Sequence, residues 1–138
     1  MINAVMIALQ AWGERGIVGA QHNSIILWFF KLAGNSWVKD DETPWCAAFV
    51  GWVLSQANKP NTASLSARSY LTYGKEIKKP VFGCVVVLWR EKIDSVYGHV
   101  GFFIRETADS VYLLGGNQSN EVNITKFPKS RVLGYRAY

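Results

Sequence analysis

The chain has 138 residues, 49% hydrophobic and 14% aromatic, with 15 Lys and Arg against 10 Asp and Glu for a formal net charge of +5. That is the size of one domain, residues 1–138, able to bury a core without a metal or a disulfide, and no apolar run is long enough to span a bilayer. The positive charge favours an acidic partner, but the basic residues are scattered, with no zinc-finger spacing or recognition-helix pattern, so nucleic acid is not indicated.

Ile2, Val5, Met6 and Leu9 recur at helical spacing and predict an amphipathic first helix. It is not read as a signal peptide: no basic stretch opens it, and Gln10, Trp12, Glu14 and Arg15 follow without a small-residue cleavage site. Synthesis as a soluble cytosolic protein is the expectation. Gly13, Gly16 and Gly19 end this helix, and a second runs from Asn23 through Ile26, Leu27 and Phe30 to Ala33, stopped by Gly34. A third is expected from Pro44 to about Ala57, with Thr43 as N-cap and Pro44 in the first helical position. The acidic run Asp40-Asp41-Glu42 suits the dipole of that helix, and Asp41 or Glu42 would help to position the loop entering it. A loop through Asn58, Pro60 and Asn61 leads to a short helix from Ala67 to Tyr73, closed by Gly74.

Strands are predicted at Cys84–Arg90, His99–Glu106, Ser110–Leu114, Glu121–Thr125 and Val132–Tyr138, each bounded by turn residues, the first two apolar enough to be central. Helices first and strands after predict an α+β domain, N-terminal helices packed on a C-terminal antiparallel sheet. Cys84 opens a buried strand and behaves there as a small hydrophobe, so no disulfide with Cys46 is expected. The aromatic residues are assigned first to the core.

Cys46 stands at a helix start, where partial positive charge and unpaired N–H groups favour a thiolate. A thiol nucleophile needs a base within hydrogen-bond reach and a third group to orient that base. Of the two histidines, His22 lies at a helix start and reads as a surface or capping residue. His99, between Gly98 and Gly101, heads the strand beside that of Cys84 and is the candidate base. Asn117, just beyond the following strand, is the candidate orienter, with Gln118 as the alternative. Rival chemistries lack their residues: there is no His-Glu-x-x-His or Cys-x-x-Cys for zinc, one acidic cluster only for a carboxylate pair, and no glycine-rich phosphate cradle before a helix. Neither metal nor cofactor is expected.

Several blocks, in order, resemble the NlpC/P60 and CHAP superfamily of papain-like cysteine peptidases and amidases of the bacterial cell wall: Asp40-Asp41-Glu42-Thr43-Pro44-Trp45-Cys46, Ala67-Arg68-Ser69-Tyr70-Leu71, Gly83-Cys84 through Arg90, Gly98-His99-Val100-Gly101-Phe102, Leu114-Gly115-Gly116-Asn117-Gln118 and Gly134-Tyr135-Arg136. The look-alikes include small proteins, many of them encoded in phages and prophages. The resemblance implies a papain-like α+β fold, with Cys46 as nucleophile, His99 as base and then acid, and Asn117 as third member. Typical NlpC/P60 enzymes carry Asp-Cys and a second histidine, whereas Trp45 precedes Cys46 and an amide follows, closer to CHAP usage. The implied activity is hydrolysis of a stem-peptide amide of peptidoglycan, by an endopeptidase or an N-acetylmuramoyl-L-alanine amidase. Trp45, Tyr97 and Gln118 are candidate substrate contacts, and Trp89 is a further groove candidate. The expected partner is peptidoglycan, bound by a monomer without membrane insertion. Delivery to the wall would need a holin, a phage tail or a secretion apparatus, and an immunity protein is a further expected partner. Two other classes remain open: a cysteine acyltransferase or deamidase effector acting on proteins, and a catalytically silent wall-binding module.

Overall fold

A computed structural model describes residues 1–16, 22–38 and 44–138. Three helices, α1 (Ile2–Leu9), α2 (Ser24–Leu32) and α3 (Cys46–Gln56), precede a 3-10 helix (Ala67–Thr72) and six strands: β1 (Lys75–Ile77), β2 (Val85–Trp89), β3 (Gly98–Glu106), β4 (Ser110–Gln118), β5 (Glu121–Pro128) and β6 (Val132–Ala137). The strands form one antiparallel sheet in the order β1-β6-β2-β3-β4-β5. The α+β expectation holds, with one strand added. β1 is three residues long, polar and at the sheet edge, and so carries none of the apolar run by which strands are recognised.

Each helix boundary has a local cause. Asn23 caps α2 by accepting from the amides of Ile25 (2.8 Å) and Ile26 (3.4 Å), and Gly34, at φ +97°, takes the left-handed turn that ends it. The helix α1 forms as expected, but Ala4, Val5 and Ala8 make its buried face while Ile2, Met6 and Leu9 are exposed. Small side chains let α1 lie close to α3 and β4, the elements it packs against.

Helix α3 starts at Cys46, two residues later than expected, with Trp45 in the N-cap position and no side-chain cap. Packing replaces the cap: the Trp45 ring is 1% exposed and sits 6.1 Å from Phe29 of α2. Thr43, the expected N-cap, and the run Asp40-Asp41-Glu42 lie outside the described residues, as does Gly19.

The sheet is packed on both faces. Val85 and Val87 of β2 point with Val100 and Phe102 of β3 into the core beneath the helices, around Phe29, Phe30, Phe49 and Val53. Cys84, Val86, Leu88, Phe103, Val111 and Leu113 form a second cluster, closed by Phe127 of β5 and by Val132 and Tyr135 of β6. Strands far apart in the sheet order share that cluster, so the sheet curls. The alternation explains why β2 and β3 are apolar almost throughout. Both cysteines are buried free thiols. Of the tryptophans assigned to the core, Trp12, Trp28 and Trp37 are exposed instead.

Candidate active site

The start of α3 meets the start of β3 at one end of the sheet. Gly116 of β4 permits the approach: a Cβ there would stand 2.6 Å from the Phe49 Cβ and 2.7 Å from the Trp45 ring. Cys46, the first residue of α3, thereby faces His99, the second of β3, and the two are 8% and 9% exposed. The imidazole is the main electrostatic partner of the sulfur, with the amides of Ala47 and Val100 beside it.

Burial alone would push the Cys46 thiol up. The hydrogen bond and charge of His99, with the two amides, outweigh it and hold the thiol below its ordinary value. The mirror image holds for His99. Burial would lower it, but the hydrogen bond and charge of Cys46 and the bond to Gln118 outweigh burial and the opposing charge of Arg131, and raise it. Both shifts favour a thiolate beside an imidazolium.

The side chain that meets the imidazole on its far side is Gln118. Its Oε1 lies 2.9 Å from His99 Nε2. Its amide nitrogen faces three acceptors, the carbonyls of Leu113 (3.1 Å) and Asn123 (2.8 Å) and Asn123 Oδ1 (2.9 Å). An amide whose nitrogen is so committed presents its oxygen to the ring. Nε2 of His99 therefore carries a hydrogen in either charge state of the ring, and Nδ1, on the other side, is the nitrogen that exchanges a proton with the thiol.

The expectation put Asn117 on the imidazole, and the structure puts its neighbour there. The strand was expected to stop at Leu114 with Gly115-Gly116 as a turn, but β4 continues to Gln118. Gly115 pairs with Asn123 and Gln118 with Glu121, so three steps on β4 match two on β5. The extra residue is a bulge, with Asn117 at φ +58°. Gly115 is required beneath Gln118: a Cβ there would stand 2.4 Å from Gln118 Oε1. Asn117 instead lines the cleft in front of Cys46.

That cleft, about 370 Å³, is lined by Pro44, Leu65 and Ala67 and by Arg90, Val96 and Tyr97 of the β2–β3 connection. Tyr97, an expected substrate contact, is half exposed on this wall. Trp45 is corrected from a groove residue to a core residue, because its ring is needed against Phe29 to hold the entry to α3. Trp89 points away, giving its indole N–H to the Ser130 carbonyl (3.1 Å). Gln118, also an expected substrate contact, is buried behind the imidazole.

Arg68 had no role in the sequence reading beyond its place in a matched block. From the 3-10 helix it donates Nε to the Tyr97 carbonyl (2.8 Å) and its terminal nitrogens to the carbonyls of Ile93 and Lys92 (3.0 Å each). One side chain thus ties down the β2–β3 loop that forms a cleft wall. An arginine flanked by small and polar residues gives no signal in sequence that its acceptors lie some 25 residues away.

Helices packed on a curled antiparallel sheet, with a thiol on the first turn of a helix and an imidazole on the facing strand, define the papain-like class of folds. A CHAP domain model matches residues 38–117, more than half of the chain, and the protein belongs to that family. CHAP domains are generally hydrolases acting on peptidoglycan. A comparison with curated proteins found no match.

Proposed function

We propose that the protein is a cysteine-type peptidoglycan hydrolase that cuts an amide bond of the stem peptide through Cys46, His99 and Gln118. The observation that carries the proposal is the order Cys46, His99, Gln118 beside one cleft, with the imidazole next to the thiol and its Nε2 2.9 Å from Gln118 Oε1.

In this reading the thiolate attacks the amide carbonyl, and the developing oxyanion is met by the Cys46 N–H, which as a first-turn amide has no intrahelical acceptor. The carbon–nitrogen bond breaks as the imidazolium gives its Nδ1 proton to the leaving amine, and a thioester remains on Cys46. Water then adds to the thioester with Nδ1 taking its proton, the carbon–sulfur bond breaks, and the acid product leaves a thiolate. Gln118 keeps Nδ1 pointed at the sulfur throughout. The site of action is the cell wall.

Digestion of purified diaminopimelate-type sacculi by the wild type and by Cys46→Ala, with mass spectrometry of the released fragments, tests this. Fragments from the wild type alone are expected, and their new termini name the bond. Silence from the wild type across several sacculus chemistries would overturn the wall-hydrolase reading and favour action on protein amides.

A further inference from the structure

Three arginines lie in or near the cleft, and only Arg90 lines it. The Arg68 guanidinium is spent on main-chain carbonyls. Arg90, just past the end of β2, lines the same cleft as Cys46 and His99 and holds its guanidinium carbon 5.7 Å from the centre of the Tyr97 ring. Its main chain is fixed, with its carbonyl accepting from Ser95 Oγ (2.7 Å) and from the Lys92 amide (2.9 Å). Arg131 lies against Trp89 (6.0 Å) and Phe127 (5.5 Å) and gives its Nε to the Trp89 carbonyl (3.0 Å). Phe127 stands 5.1 Å from the His99 ring, so Arg131 flanks the imidazole from behind.

Neither Arg90 nor Arg131 is in an ion pair with a carboxylate among the described residues. They are near enough to each other that Arg90, after burial, helps to hold Arg131 below its ordinary value. The charge of Arg131 also opposes that of His99. With the His99 charge matched by the Cys46 thiolate, Arg90 in the cleft and Arg131 near it carry positive charge that no described carboxylate offsets and that an incoming anion would balance. A guanidinium over an aromatic ring in a cleft has parallel N–H donors to offer a planar two-oxygen group.

From this arrangement we infer that Arg90, backed by Arg131, is a specificity determinant that takes a free carboxylate of the substrate next to the scissile amide. The inference rests on the hydrolase reading above and narrows it. Acidic residues of the stem peptide carry free carboxylates beside peptide amides, whereas the lactyl–L-alanine amide has none on either flanking unit. The bond selected is then one within the peptide, adjoining an acidic residue.

Alkylation of Cys46 by two reagents of nearly equal size, iodoacetate and iodoacetamide, tests the site without any assumption about the natural substrate. Arg90 is exposed, so Arg90→Gln keeps the fold, and Arg131→Gln serves as a second variant. The ratio of iodoacetate to iodoacetamide rates is expected to fall about fivefold in Arg90→Gln, with the difference shrinking at high salt. An equal ratio in wild type and both variants, with Cys46 reacting normally, would overturn the carboxylate site and leave the thiolate reading standing. A Cys46 inert to both reagents in the wild type would overturn the thiolate reading, and this inference with it.

Discussion

Gln118 and Asn123 hold each other across the β4–β5 turn: the Gln118 amide nitrogen reaches both the carbonyl (2.8 Å) and Oδ1 (2.9 Å) of Asn123, and Asn123 Nδ2 returns a bond to the Gln118 carbonyl (2.9 Å). Thr125 Oγ1 and Glu121 Oε1 complete the set on Asn123. This side-chain network fixes which end of the Gln118 amide meets His99. The order of dependence runs from the turn to Gln118, from Gln118 to the imidazole, and from the imidazole to the thiol.

Gln118→Ala is therefore expected to lower kcat/KM by on the order of tenfold or more, because the imidazole loses the acceptor that sets its tautomer. Asn117→Ala, which removes only a cleft-lining amide, should cost less than about threefold in kcat. Steady-state rates for both variants, with thermal melts to verify folding, decide the matter. Equal losses in kcat from the two substitutions would refute the assignment of Gln118.

The pH dependence of Cys46 alkylation follows from two opposed shifts. A lowered thiol value stabilises the fold above the unfolded thiol value, and that share is lost as pH falls through the folded one. A raised imidazole value stabilises it below the unfolded imidazole value, and that share is lost as pH rises through the folded one. Both shifts move the protons toward the thiolate–imidazolium pair, and the two apparent steps belong to the pair. Iodoacetamide should react well below the pH at which a free cysteine becomes reactive. In His99→Ala the burial effect loses its largest counterweight, so the midpoint is expected to climb. An unmoved midpoint would mean that the amides of Ala47 and Val100, not His99, set the thiol.

The parts of this site legible in the sequence are those where residue type and local position coincide. Cys46 heads an apolar helical stretch and His99 heads an apolar strand, so each was found from its own neighbours. The contact of Gln118 with His99 depends on a bulge that the sequence does not signal, and two consecutive glycines read as a turn although they are in-strand positions cleared for Gln118 and for the Phe49–Trp45 packing. Trp45 is a core residue and not a groove residue, and nothing in the chain shows which indoles face outward. The buried face of α1 was misjudged for a related reason: periodicity finds the apolar residues, but the proximity of α3 selected the small ones.

Arg68 offers a test of how the cleft wall is held. Arg68→Ala removes three charge-assisted bonds to main-chain carbonyls, a loss of about 1–2 kcal/mol for a partly exposed group. Its clearer signature is local. Amides of residues 93–97 should exchange faster with solvent while those of β2 and β3 keep their protection. KM should rise more than kcat falls, because Cys46, His99 and Gln118 do not touch this loop through Arg68. Arg68→Lys is expected to behave like the alanine variant, since a single ammonium cannot span the carbonyls of Lys92, Ile93 and Tyr97. Full rescue by lysine would show that charge alone, not the fork, holds the loop.

Gly115→Ala isolates the orienting contact with the smallest change to the chain. The added methyl would stand 2.4 Å from Gln118 Oε1 and 3.5 Å from His99 Nε2, and the backbone of β4 is not left-handed at this position. The substitution is therefore free of φ strain and acts through crowding alone. Gln118 cannot retreat far, because its nitrogen is anchored by Leu113 and Asn123, so the bond to His99 is the contact that gives way. The expected result is a loss of kcat comparable to that of Gln118→Ala, with the Cys46 alkylation midpoint shifted upward. The double variant Gly115→Ala with Gln118→Ala should be no worse than either single one, as residues acting through one contact are not additive. Additive losses would mean that Gly115 serves the site by some route other than Gln118.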